Sequence, residues 1–124
     1  MIYDYVGPGS TANSKVYRIT LMLFRDQNCA NCAAMPTEVT IGIFNNDNNI
    51  LFGSVHTVPL SNTEIIPINA LPPCITNPPV LNYTVGTYTF TVQLDDNNTG
   101  YTAAYQTCCR IDNIQNVPDA VGAT

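Results

Sequence analysis

Tyr88-Thr89-Phe90-Thr91-Val92-Gln93-Leu94 is the stretch that decides the fold. Its large apolar side chains fall at every second position, with Thr, Thr and Gln between them. A period of two places one face of a pleated strand in a core and the other in water. Aromatic and β-branched residues suit that half-buried surface. The run closes on Asp95, Asp96, Asn97, Asn98 and Gly100, residues that favour tight turns. Tyr101, Ala103 and Tyr105 then alternate with Thr102, Ala104 and Gln106, so the spacing predicts a second strand returning as a hairpin.

The same reading extends outward in both directions. Residues 15–25 alternate with Tyr17, Ile19, Leu21 and Leu23 on one face. Val16, Met22 and Phe24 lend apolar character to the other, which predicts a strand covered on both sides for part of its length. Val39, Ile41 and Ile43 share a face, residues 45–49 supply turn chemistry, and residues 50–55 resume an apolar run, which reads as another hairpin. Residues 63–68 are a short extended segment. The prolines between Leu71 and Asn82 lack amide donors for a central ladder, so that stretch is expected to be a surface connection.

Short strands with turn signals about every ten residues predict an all-β fold: an immunoglobulin-like two-sheet antiparallel sandwich of about seven strands, disulfide-stapled. The 124-residue length suits one domain, read as 1–114, with 115–124 as a linker or tail. Only 10% of residues are charged and Trp is absent, a profile of strands and turns more than of helices. A net charge of −5, with Lys15, Arg18, Arg25 and Arg110 as the cations, offers no basic stripe for nucleic acid or anionic lipid. No apolar run is long enough to span a bilayer as a helix, so membrane insertion is not expected. The amino terminus carries no export signal, and Met1 is expected to open a fragment of a longer exported chain.

Cys29, Cys32, Cys74, Cys108 and Cys109 are disulfide candidates, because five cysteines without interleaved histidines favour an oxidising compartment over a zinc site. Cys29-Ala30-Asn31-Cys32 has the spacing of a redox motif, but no helical pattern follows it. Stapling a loop is the favoured role, since it typically adds about 2–4 kcal/mol to a small secreted domain. Cys108 and Cys109, adjacent on an extended segment, should face opposite ways and serve different partners. The residues leave the pairing open, a Cys29–Cys32 bridge included.

Other candidates are sparse. Arg25, Asp26 and Arg110 are expected to form a structural latch at the strand ends, a guanidinium offering several donors to a carboxylate or carbonyl. Asp95, Asp96 and Asn98 offer oxygen ligands suited to calcium, as do Asn46, Asp47 and Asn48. Asx-rich turns also arise for conformational reasons alone, and no other cofactor is expected. His56 is the sole histidine and has no triad around it, and Glu38 and Glu64 are the only glutamates, so no catalytic residues are assigned and no enzyme is expected. Tyr3, Tyr5, Tyr83, Tyr88, Tyr101 and Tyr105 are stacking candidates for sugar rings, which keeps a carbohydrate-binding module as the alternative function.

Three segments resemble a β-sandwich domain of large Bacteroidota surface or secreted proteins, one found beside PKD-like repeats and gliding-motility-associated C-terminal sorting domains. They are residues 17–26 followed by Cys29, residues 65–74 ending in Pro-Pro-Cys, and residues 101–113 containing Cys108-Cys109-Arg110. Cys29 stands two residues later than that pattern has it, and Cys32 is an addition. The resemblance implies that Cys29 and Cys74 pair with Cys108 and Cys109, leaving Cys32 odd. It also implies an extracellular or cell-surface location and a non-catalytic module supporting adhesion or surface assembly. Its partners would be neighbouring domains, other copies, or surface glycans or proteins. The extended segment 2–6 before Gly-Pro-Gly raises strand exchange between copies as a route to such assembly.

Overall fold

The computed structural model describes residues 1–29, 33–67 and 82–107. They form six strands and no helix: β1 (Ile2–Pro8), β2 (Ser14–Asp26), β3 (Glu38–Asn45), β4 (His56–Pro67), β5 (Asn82–Asp95) and β6 (Tyr101–Tyr105). Each of the pairings β1–β2, β2–β5, β4–β5 and β3–β6 is antiparallel. The all-β class expected from the alternation is therefore present. The chain gathers into two compact units, residues 1–39 with 58–96 and residues 40–57 with 97–124. The expected tail, 115–124, lies outside the described residues.

In the first unit the strand order is β1-β2-β5-β4. The β2–β5 ladder runs without interruption from Ser14 opposite Asp95 to Asp26 opposite Tyr83. Directly opposed residues share a face, so Tyr17, Ile19, Leu21 and Leu23 stand across from Val92, Phe90, Tyr88 and Gly86. That face holds the core: Ile19, Leu21, Tyr88 and Val92 are buried, and Tyr88 is fully so. On the other face, where cover is expected for part of the strand's length, Met22 and Phe24 at the end of β2 are exposed. Their opposite numbers on β5 are Thr87, half-buried, and Val85, buried to 2% exposure, so this face is covered over part of β5 while it lies open over the end of β2.

The segment that follows β2 returns across the core face. Tyr88 Oη donates to the Pro36 carbonyl at 2.6 Å, and the Leu60 amide donates to the Thr37 carbonyl at 2.8 Å. Met35 lies against the sheet where Gly86 carries no side chain: a Cβ there would stand 2.6 Å from Met35 Sδ and 3.1 Å from Leu60 Cδ1. Gly86→Ala should therefore cost about 1–2 kcal/mol through overpacking. Truncating Met35 removes the clash, so in a double-mutant cycle measured by urea unfolding the Gly86→Ala penalty should largely vanish on Met35→Ala. Simple additivity of the two losses would show that Met35 does not rest on Gly86.

The second unit is built around β6, which pairs with β3 from Ile41 opposite Tyr105 to Asn45 opposite Tyr101. This corrects the expected β5–β6 hairpin. β2 takes one edge of β5 from Tyr83 to Asp95 and β4 takes the other from Asn82 to Tyr88, and the chain leaving β5 pairs with β3 instead. Ile41 and Ile43 are the buried side chains here, as their shared face predicts. The hairpin expected after residue 45 is short. Asn45 N meets Ile50 O at 3.0 Å, Phe52 N meets Ile43 O at 2.7 Å, and Phe44 bridges Leu51. Gly53 then turns the backbone into the left-handed region with φ of 70°, and Ile50 and Val55 stay exposed. Residues 63–68, expected as a separate short strand, belong instead to the twelve-residue β4 as far as Pro67.

Candidate functional site

Strand β1 carries a dense exposed apolar surface. Ile2, Tyr3, Tyr5 and Val6 are all exposed, Tyr3 to 72% and Tyr5 to 59%. Exposed apolar residues scattered singly need no explanation, but several together on one strand mark an interaction surface. β1 pairs with β2 along one side and, among the described residues, with no strand on the other. An unpaired strand edge offers backbone donors and acceptors to another extended chain. The sequence limits that edge: the register shifts between Tyr5 and Gly7, and Pro8 ends the strand without an amide donor.

Tyr3 and Tyr5 stand opposite Ile19 and Tyr17 and share their face. Tyr17 lies between the two rings, at centroid distances of 6.1 Å from Tyr3 and 6.0 Å from Tyr5. The interplanar angles, 74° and 64°, make both contacts edge-to-face. Such contacts fix ring orientation at modest energetic gain. On the opposite face Asp4 stands across from Arg18 and Ile2 from Thr20. The edge therefore presents aromatic rings on one side and a mixed charged and apolar strip on the other. The extended segment expected at residues 2–6 is this strand. That it lies at an edge was not legible, because pairing partners are set by the rest of the sheet.

Of the expected latch, Arg25 and Asp26 end β2 and serve the cysteine loop separately. Arg25 Nε donates to the Ala33 carbonyl at 2.8 Å, and Asp26 Oδ1 accepts from the Asn28 amide at 2.9 Å. Gln27 ties the same loop to β5 through its amide on Asn82 O and its Nε2 on Thr84 Oγ1. Arg110 lies outside the described residues, and so do Cys32, Cys74, Cys108 and Cys109. Cys29 is disulfide-bonded.

Of the expected calcium ligands, Asp95, Asp96, Asn46, Asp47 and Asn48 are engaged in hydrogen bonds or ladder positions, and Asn98 is exposed in the turn. Asp95 stands opposite Ser14, and Asp96 accepts from the Lys15 ammonium. That hydrogen bond raises the Lys15 pKa above its ordinary value. In the second unit the two Asx turns interlock. Asn97 Nδ2 donates to Asn45 Oδ1 at 3.0 Å and to Gly100 O at 3.3 Å, Thr99 Oγ1 donates to Asp47 Oδ1 at 2.7 Å, and Thr102 Oγ1 donates to Asn46 Oδ1 at 2.7 Å. The β3–β6 pairing brings these turns side by side. Among the described residues no group of three or more His, Cys, Asp or Glu side chains could hold a metal ion.

The remaining candidates are dispersed. Tyr88 is core, Tyr101 packs edge-to-face on Phe52 at 5.2 Å, and Tyr83 and Tyr105 are half-buried in their strands. His56 opens β4, and Glu38 and Glu64 are exposed on β3 and β4. No helix among the described residues is long and apolar enough to cross a membrane.

A family model described as "Integrin beta-like protein A-E, N-terminal" matches residues 3–121. The match takes in β1 and reaches nearly the whole chain. It agrees with the resemblance to surface-protein domains as far as that goes, and it carries nothing of Bacteroidota, PKD-like repeats or sorting domains. No curated protein and no solved structure matches the chain.

Proposed function

We propose that this chain, which belongs to the integrin beta-like protein A-E N-terminal family, is a non-catalytic extracellular module that supports adhesion or surface assembly. The family's integrin-like description supports an exported, surface-exposed setting, and the cysteine content suits an oxidising one. The observation that carries the adhesive part is β1, an exposed aromatic and aliphatic edge strand. An edge of this kind takes a further strand from a neighbouring domain, another copy or a surface partner, with main-chain hydrogen bonds supplying affinity and Tyr3 and Tyr5 the side-chain contacts. We read the fold as a sandwich-class module stapled by disulfides, with Cys29 and Cys74 joined to Cys108 and Cys109.

The test compares beads coated with the full chain and with the double variant Tyr3→Ser/Tyr5→Ser. Both positions are exposed, so the variant's unfolding midpoint should stay within about 3 °C of the parent. Beads carrying the native chain should cluster together or attach to cells displaying the parent protein, and the variant should lose that attachment. Equal attachment by both, or none by the native chain, would sink the reading.

A further inference from the structure

Two stretches of the chain have the form Asn-X-Ser/Thr with X not proline: Asn82-Tyr83-Thr84 and Asn97-Asn98-Thr99. This is the acceptor pattern for N-linked oligosaccharides in secreted proteins. The pattern alone does not separate them. Their surroundings do, because a glycan replaces one of the two hydrogens on the asparagine Nδ2.

Asn97 has no hydrogen to give up. Its Nδ2 donates to Asn45 Oδ1 and to Gly100 O, while its Oδ1 accepts from the Thr99 amide and hydroxyl, both at 2.8 Å. Modifying it breaks one of the bonds that interlock the two turns. Asn82 is different. It is half-exposed at the start of β5, and its backbone carbonyl accepts from Gln27 N, but among the described residues nothing hydrogen-bonds its side-chain amide. Its ladder partner on β4 is Pro67, and Thr84, two residues on along the same strand and on the same face, stands opposite Arg25 and Ile65. The Thr84 hydroxyl accepts from Gln27 Nε2, which leaves the Asn82 amide as the uncommitted group of the pair.

We infer that Asn82, and not Asn97, is a site of N-linked glycosylation, an inference that rests on the extracellular reading above. The donor is an oligosaccharide carried on a polyprenyl diphosphate. The Asn82 Nδ2 attacks the anomeric carbon of its terminal sugar, the new C–N bond forms as the bond from that carbon to the diphosphate oxygen breaks, and the lipid diphosphate leaves. The amide proton passes to a base of the transferase. The product keeps one N–H on Asn82 and disturbs no hydrogen bond among the described residues.

The test is secretion of the full chain, behind a cleavable leader, from a eukaryotic host, followed by intact-mass measurement and peptide mapping after treatment with an amidase that releases N-glycans. The expected result is one glycan, with aspartate left at position 82 and unmodified asparagine at 97. Asn82→Gln and Thr84→Val should each abolish it, Thr84→Ser should retain it, and Asn97→Gln should leave it unchanged. A secreted, folded chain with bare Asn82, or with sugar on Asn97, overturns the inference and leaves the surface-module reading standing. Retention inside the cell of a folded chain glycosylated at Asn82 does the reverse.

Discussion

Tyr88→Ala should destabilise the protein by about 3–5 kcal/mol, the cost of emptying a large, fully enclosed aromatic site. Tyr88 is completely buried, opposite Leu21 on β2 and Leu60 on β4, so the loss falls at the centre of the first unit. Against the 5–15 kcal/mol typical of whole domains this is a large share, and it predicts a fall in unfolding midpoint of about 10–20 °C. Tyr88→Phe separates two contributions. It keeps the ring and deletes the hydroxyl that holds the Pro36 carbonyl at 2.6 Å, for a loss of about 1–2 kcal/mol. Urea unfolding of the three proteins measures both steps. A Tyr88→Ala loss under about 1 kcal/mol would mean that the β2–β5–β4 face is not the core.

The importance of Tyr88 was legible in advance, since its strand shows the clearest period of two in the chain, and the same holds for Ile19 and Leu21 on β2. Alternation reports which side chains turn inward. It is silent on which strand lies alongside. Residues 101–105 read as the return arm of a hairpin on β5, yet β6 joins β3. Its half-buried and exposed residues alternate weakly, so its own sequence specifies a partner poorly. Met22 and Phe24 mark a second limit, because an apolar residue predicts burial only if something covers it.

For the candidate site the division is similar. The Asx turns at 45–49 and 95–100 were readable as turns from their composition. Their mutual hydrogen bonds were not, since these depend on the β3–β6 register that sets Asn45 against Tyr101. Arg25 and Asp26 stand at a strand end as expected, where they bind loop atoms seven and two residues beyond the strand, while Arg110, the third member of the expected latch, lies outside the described residues. In the sequence, Asn82 carries only a three-residue pattern beside a proline-rich stretch. What singles it out is a side-chain amide without a hydrogen-bond partner among the described residues, a property of the folded chain.

Cys29→Ser should lower stability by about 2–5 kcal/mol, for a reason unlike that of Tyr88. Cys29 is only half-buried, and serine replaces its sulfur with little change in volume, so packing accounts for little of the loss. The disulfide acts on the unfolded chain, where it removes conformations that the free loop would otherwise explore. Arg25 on the Ala33 carbonyl and Asp26 on the Asn28 amide hold the folded loop without it, so the native spectrum should survive the substitution while the midpoint falls. Reductant supplies the second arm of the measurement. If Cys29 joins one of two bridges, thiol reagent should lower the midpoint of the native chain by more than the substitution does, and should still lower that of Cys29→Ser. Non-reducing peptide maps of the two proteins would then identify the partner as the cysteine newly free in the variant. A variant as stable as the native chain, with both insensitive to reductant, would mean that sulfur crosslinks do not hold this fold and that its β ladders suffice.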